Sequence, residues 1–299
     1  MTVINRLSAR RRSDEEVVER IPDWMPRNAA DWLAMVFMIA IGMLTIMPII
    51  WVMSTSLRTP AESFTVPPEW LPEDLYIGNY LQVFDEIPFV YQMGNSFFVT
   101  LSTVVGQLTT ATLAGYTFAR LYFPGRDVLF WVVLATLMIP YQATLIPLFV
   151  IISKVFGLAD TLWSLILPAL PTAFGTFLLR QYFLQIPVEY EEAAMMDGAN
   201  QFQIFRRVYL PMVAPGMAIL AVLAFNGKWN DFLTPLIFMN TTSRFPITLG
   251  INDLQRYMMT GSISVVLAAI VMATLPVVIV YIFGQRYLIE GLMVGGLKG

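Results

Sequence analysis

The sequence predicts an all-α integral membrane protein with six transmembrane helices and with its N and C termini in the cytoplasm. Three observations predict it. The 299 residues are 57% hydrophobic and 13% charged, with a mean hydropathy of +0.65, whereas soluble domains carry about 25% charged residues. Six charge-free runs are long enough to cross a hydrocarbon core, which takes about 20 residues at about 1.5 Å each. The Arg and Lys residues concentrate in alternate loops. The net charge of −3 gives no argument for nucleic acid as a partner.

Residues 1–31 alternate Arg with acids and read as a mobile cytoplasmic tail or a surface helix. The first run, Trp32 to Leu57, exceeds the apolar stretch of about 7–15 residues found in a cleavable signal and has no small-residue cleavage site, so it reads as a retained span. Residues 58–90 hold Pro60, Pro67, Pro68, Pro72 and the acids Glu62, Glu69, Glu73, Asp74, Asp85 and Glu86. They form an outer cap segment, serving either as a docking surface for an extracytoplasmic partner or as a connector. The second run, Ile87 to Ala119, is longer than a span needs, so the stretch from Pro88 to Gly94 is expected to be interfacial or loop. The third to sixth runs are Val128 to Ser153, Thr161 to Leu179, Val208 to Gly227 and Tyr257 to Gln285, the last with Tyr257 to Ser262 outside the membrane. Pro140, Pro147, Pro168, Pro171 and Pro276 fall inside runs, where each removes a helix hydrogen bond and predicts a kink.

Six runs leave both termini on one side. That side holds Arg6, Arg10, Arg11, Arg12, Arg20, Arg27, Arg120, Arg126, Arg180, Arg206, Arg207, Arg286 and Lys298, and the other only Arg58, Lys154, Lys228, Arg244 and Arg256. Because cytoplasmic loops keep the excess of basic residues, this bias puts the termini and the loop at 181–211 inside.

The absences are informative. With no Cys and no His, thiolate and imidazole metal sites, Cys nucleophiles and the usual neutral-pH proton shuttle drop out. The six runs hold essentially no ionisable residues, which weakens a proton-coupled secondary transporter. An intramembrane enzyme would lack catalytic groups. There is no G-x4-G-K-[ST] loop to hold nucleotide phosphates, since Gly227-Lys228 lacks the upstream glycine and precedes Trp229. Uphill movement of a solute would therefore draw its energy from another polypeptide.

The loop at 181–211 is where such energy would be received. Pro187 suits a helix start, and Glu189, Glu191 and Glu192 put carboxylates at its positive end. Ala193 and Ala194 offer a side-chain-poor patch flanked by Glu192 and Met196, and Asp197-Gly198 is a turn. Phe202, Phe205, Arg206 and Arg207 suit a second short helix that reaches the membrane at Pro211. Residues Glu192-Ala193-Ala194, Gly198, Val208, Leu210 and Pro211 also fit the spacing E-A-A-x3-G-x9-[IV]-x-L-P, which chance would supply in about one chain in 10⁵ of this length.

That spacing resembles the "EAA" loop of inner-membrane permease subunits in binding-protein-dependent ATP-binding-cassette importers. The resemblance extends to the loop Phe118-Ala119-Arg120-Leu121-Tyr122-Phe123-Pro124-Gly125-Arg126, to Trp229-Asn230-Asp231-Phe232, and to the ending from Gly291 to Gly299, all similar to the carbohydrate, maltose-type branch. It implies the type I importer permease architecture in a bacterial or archaeal inner membrane. It implies that Glu189, Glu192, Ala193, Ala194, Asp197, Gly198, Phe202, Arg206 and Pro211 couple to an ATPase, and that Gly295, Gly296 and Lys298 of the tail at 287–299 reach between ATPase subunits; a Gly-rich tail is otherwise a flexible end. Implied partners are a homologous second permease, two ATP-binding cassette subunits that carry ATP and Mg, an extracytoplasmic solute-binding protein and a sugar; no cofactor is expected on this chain. Gln107, Tyr116, Tyr141, Gln142, Asn226, Trp229 and Asn230 are pathway candidates for a neutral polyhydroxyl solute, or else helix-packing and interfacial residues. The alternatives are a polyol or glycerol phosphate as solute, an ion-coupled transporter, or a membrane scaffold.

Overall fold

A long central helix organises the chain. The computed structural model describes residues 28–63, 72, 74–257 and 262–296, and among them every regular element is helical. Residues Met1–Val52 and Met53–Gly299 are two separate units. The first holds all but the last turn of helix α1 (Ala29–Ser56), which is apolar all round, with Trp32, Leu33, Phe37 and Leu44 exposed. That exposure suits lipid, since no polar face exists to meet water.

The larger unit is built on α3 (Phe89–Arg120), 32 residues without a break. It follows α2 (Gly78–Glu86), held by Asn79, whose amide donates to the carbonyls of Ser56 (2.9 Å) and Arg58 (2.7 Å). Of the stretch from Pro88 to Gly94, expected to be interfacial or loop, the loop alternative is corrected: Pro88 precedes the first helical residue, where a missing N–H costs nothing, and α3 runs helically through Gly94.

Helices α7 (Ala173–Gln185) and α11 (Ala214–Trp229) pack on α3 through small residues. A Cβ on Gly115 would stand 3.0 Å from the Arg180 backbone nitrogen, and one on Gly175 only 3.1 Å from Ala111 Cβ. Backbones approach this closely only where side chains are absent, the usual device of helix packing in membranes. Helix α14 (Ile263–Gly296) packs on α11, and the Trp229 indole donates to the Ala273 carbonyl at 3.1 Å, within the turn disturbed by Pro276.

Proline decides the remaining spans. The third run divides into α4 (Arg126–Ala135) and α5 (Tyr141–Val150), bent by 100° at Pro140, with Ile139 extended as a residue before proline prefers. The fourth is interrupted: α6 (Trp163–Ile166), a 3-10 turn carrying Pro168, and then α7, which starts beyond Pro171 with Thr172 accepting from the Gly175 amide. The fifth begins inside a π-helical turn at Phe205–Tyr209, which follows the loop helix α9 (Gln201–Ile204), and passes through α10 (Leu210–Met212) into α11, with a 70° bend before α11. Three helices among the described residues suffice alone to cross a membrane, five spans if each bent pair is one. The six runs are therefore three unbroken helices, two bent pairs and one interrupted run.

Two loop layers close the ends of α3. At the Phe89 end, α13 (Ile247–Tyr257) crosses at Gly250, where a Cβ would overlap the Gln92 amide. The amide of Ile247 donates to Ser96 Oγ (2.7 Å) and Asn95 donates to the carbonyls of Ser243 and Phe245. There too Asp160, at φ 56°, accepts from the amides of Asn240 and Thr241, the Thr241 hydroxyl and Arg244. At the Arg120 end lies the loop with the E-A-A spacing.

Candidate functional site

Helix α8 (Glu189–Met196) begins with three acids in its first turn, as charge–dipole complementarity favours. It ends at Asp197, and Gly198 turns the chain at φ 80°. Asn200 and Gln203 then form a capping box, each side chain bonding the other's backbone N–H at 2.9 Å. The π-helical turn comes just before Pro211, whose missing N–H already breaks the regular ladder. Together these give two short helices joined by a left-handed glycine.

Its outward face is apolar with an acid at one edge. Glu192, Ala193 and Asp197 are exposed, Met196 is 88% exposed and Phe202 68%, and Val188, Tyr190 and Met195 extend the patch. Arg206, Arg207 and Pro211 are exposed and Ala194 is half-buried. Glu189 is exposed in the first turn.

The inward face was not legible as a site. Glu191 is 9% exposed, and its carboxylate accepts from the hydroxyl of Tyr209, which is fully buried, at 2.5 Å. Arg120, from the last turn of α3, lies over the Tyr209 ring 4.9 Å from its centroid and donates to the carbonyls of Phe183 and Ile186. The Tyr116 hydroxyl donates to Gln201 Oε1 at 2.9 Å. Glu191 and Ala194, three residues apart, share the inward side of α8, whereas Val188 and Met195 on either side of them are exposed, so helical period alone did not single Glu191 out.

The pathway candidates separate. Gln107 donates to the Ala169 carbonyl (2.8 Å) and lines a cavity of about 420 Å³ with Tyr141, Thr172, Lys228, Asp231 and Thr234. Tyr116 lies with the loop. Gln142 is exposed on α5, and Asn226 accepts from Asn230 through its carbonyl and its side chain. Trp229 is 3% exposed and stacked on Phe225 with 5.4 Å between centroids. With Asn230, Asn252, Gln255 and Thr274 it lines a second cavity of about 390 Å³.

Sequence alone assigns Lys228 no role beyond its place among the basic residues of the outer side. Helix α11 runs to Trp229 and sets the Lys228 ammonium against Asp231 at 2.9 Å, with side chains 9% and 20% exposed on the cavity wall. Asp231 also accepts from the Thr234 amide (3.2 Å) at the start of α12 (Leu233–Phe238), while Tyr141 and Thr234 share a hydrogen bond of 3.0 Å. Of the tail, the α14 backbone is helical to Gly296, which includes Gly295, and Lys298 lies outside the described residues.

Among known proteins, the chain is 33% identical over 271 residues to the arabinooligosaccharides transport system permease protein AraQ of Halalkalibacterium halodurans, covering 90% of this chain and 96% of that one. It is 34% identical over 281 residues to the trehalose transport system permease protein SugB of Mycobacterium tuberculosis, covering 91% and 99%. A crystal structure of a bacterial ABC transporter involved in the import of the acidic polysaccharide alginate contains a chain that matches with a TM-score of 0.77 at 26% identity, covering 88% of this chain and 99% of that one. Residues 108–292, from the middle of α3 to near the end of α14, match the family model for the binding-protein-dependent transport system inner membrane component. With both the loop spacing and the helical scaffold accounted for, the chain belongs to the family of binding-protein-dependent transport system inner membrane components.

Proposed function

We propose that this chain is the permease subunit of an ATP-driven importer for a sugar or oligosaccharide, forming half of the translocation pathway in a bacterial or archaeal inner membrane. The observation that carries the reading is the exposed apolar and acidic face of α8, held rigid from behind and presented around Glu192, Ala193 and Met196. A surface of that kind on a membrane protein is a docking site rather than a solvated one. Its occupant is an ATP-binding cassette subunit, two copies of which bind ATP and Mg and supply the energy that this chain has no phosphate loop to harvest.

A homologous second permease completes the pathway, a solute-binding protein delivers the sugar on the outer side, and Gly295, Gly296 and Lys298 of the tail at 287–299 approach the ATPases. The named solutes of the relatives are carbohydrates, which supports the substrate class. The cavity walled by Gln107, Tyr141, Lys228, Asp231 and Thr234 offers neutral and charged donors and acceptors beside apolar surface, the mixture that a polyhydroxyl solute needs. ATP-driven closure of the cassettes would displace the loop from Glu189 to Arg207 and rock the spans between inward-open and outward-open states.

The test is reconstitution of the full chain with the permease, ATPase and binding protein encoded beside it. ATP-dependent uptake of a labelled sugar, lost when any one component is left out, is the expected result. Uptake by this chain alone, driven by an ion gradient, would overturn it.

A further inference from the structure

The loop touches the outside world through one glutamate and the membrane helices through the next. We infer that Glu191 and Tyr209 are a positioning pair that locks α8 to the Arg120 end of α3, so that a displacement of the loop is carried into the longest span. This rests on the coupling role proposed above and goes beyond it, because neither residue belongs to the docking face.

The geometry converges on Tyr209. Its hydroxyl donates to the buried Glu191 carboxylate at 2.5 Å, which ties it to α8. Its ring lies beneath the Arg120 guanidinium, whose Nη2 donates to the carbonyls of Phe183 and Ile186 where α7 ends. The Tyr116 ring sits 5.5 Å from the Tyr209 ring, and its hydroxyl reaches Gln201 in α9. One side chain thus joins α8 to α3 and α7, and a second tyrosine ties α9 to the same place. Hydrogen bonds to a carboxylate are short and directional, and a buried side-chain network of this kind resists distortion. Motion of α8 is then rigid-body motion of the α3 end, whereas without the pair α8 would swing on Gly198 and Pro187. Glu192 and Glu191, adjacent in sequence, therefore do different work: one faces a partner and the other faces the protein's own spans.

The absence of Cys allows a test that does not depend on transport. Spin labels on Met196→Cys in α8 and Leu113→Cys in α3, both exposed positions, report their separation by pulsed electron resonance on the full chain in lipid nanodiscs. The parent protein should give one narrow distance distribution. Tyr209→Phe, which keeps the ring and removes the hydroxyl, and Glu191→Ala should each at least double its width. Glu191→Gln retains an oxygen that accepts from Tyr209 and should stay close to the parent. Unchanged widths in the first two, or broadening by Gln equal to that by Ala, would overturn the lock.

In the assembled importer, Tyr209→Phe should lower sugar imported per ATP hydrolysed about fivefold while ATP hydrolysis continues. A broadened distribution with an unchanged import ratio would reject transmission through the pair. Absence of ATP-driven import by the parent complex would instead reject the proposed function and leave the distance result standing.

Discussion

Lys228 lies 2.9 Å from Asp231, an ion pair closed across the end of α11 and largely withdrawn from solvent. Breaking such a pair leaves the survivor's charge poorly solvated. For fully buried pairs that costs about 3–5 kcal/mol; here the cavity and the one-fifth exposure of Asp231 reduce the expectation for Lys228→Met to about 2 kcal/mol. Thermal unfolding in detergent should register a drop of several degrees, with part of it recovered in the exchanged variant Lys228→Asp/Asp231→Lys. A variant as stable as the parent would show that water, not Lys228, satisfies Asp231.

Asp160 gives a pH dependence. Burial alone would raise its pKa, but hydrogen bonds from the Thr241 hydroxyl and from the amides of Asn240 and Thr241, with the Arg244 charge, outweigh it and hold the carboxyl below its ordinary value. A folded-state pKa below the unfolded one means that its stabilisation is complete above the unfolded value, about 3.9, and is lost as pH falls through the folded value. The gap in unfolding temperature between parent and Asp160→Asn should hold steady from about pH 5 upward and close below about pH 4. A gap that ignores pH would assign the clamp to Arg244 and the backbone.

Gly198 separates conformation from space. At φ 80°, nothing lies within 4 Å of where its Cβ would stand. Gly198→Val should cost about 1–2 kcal/mol through the left-handed backbone alone and reduce uptake, while Gly198→Asn, which tolerates that region, should retain most of it. Equal uptake in both would remove the turn from the mechanism.

Gly115 is the opposite case. A methyl there meets the Arg180 backbone rather than a movable side chain, so Gly115→Ala should destabilise by about 1–3 kcal/mol. Gly227, with open space around it, should accept Ala without loss. Paired melting curves decide, and equal shifts would mean that α3 and α7 separate freely.

Single cysteines test the orientation in a chain that has none. With an impermeant maleimide on intact spheroplasts, Ser243→Cys, exposed at the Phe89 end of α3, should label, and Met196→Cys in α8 should not. The reverse pattern would invert the orientation expected from the basic residues.

The family, the helical class and the loop were legible because each is written locally. A span needs only an uncharged run, since lipid satisfies apolar side chains whatever their neighbours. The turn at Asp197-Gly198 needs only the residue that tolerates a positive φ. The bend at Pro140 followed from proline chemistry, although its size did not, because a freed carbonyl is satisfied by whichever neighbour packs against it, and the bend before α11 was not legible in the sequence. What only the tertiary structure decided is which way each polar residue faces. At the end of α11 four consecutive residues divide: Lys228 and Asp231 go to one cavity, Asn230 opens to another, and Trp229 seals against α14. In α8, Glu192 turns to solvent and Glu191 to Tyr209. Composition cannot tell adjacent residues apart, whereas a 100° rotation per residue separates them completely. The helices assembled around it set the meaning of each direction, and that is a property of the packed chain.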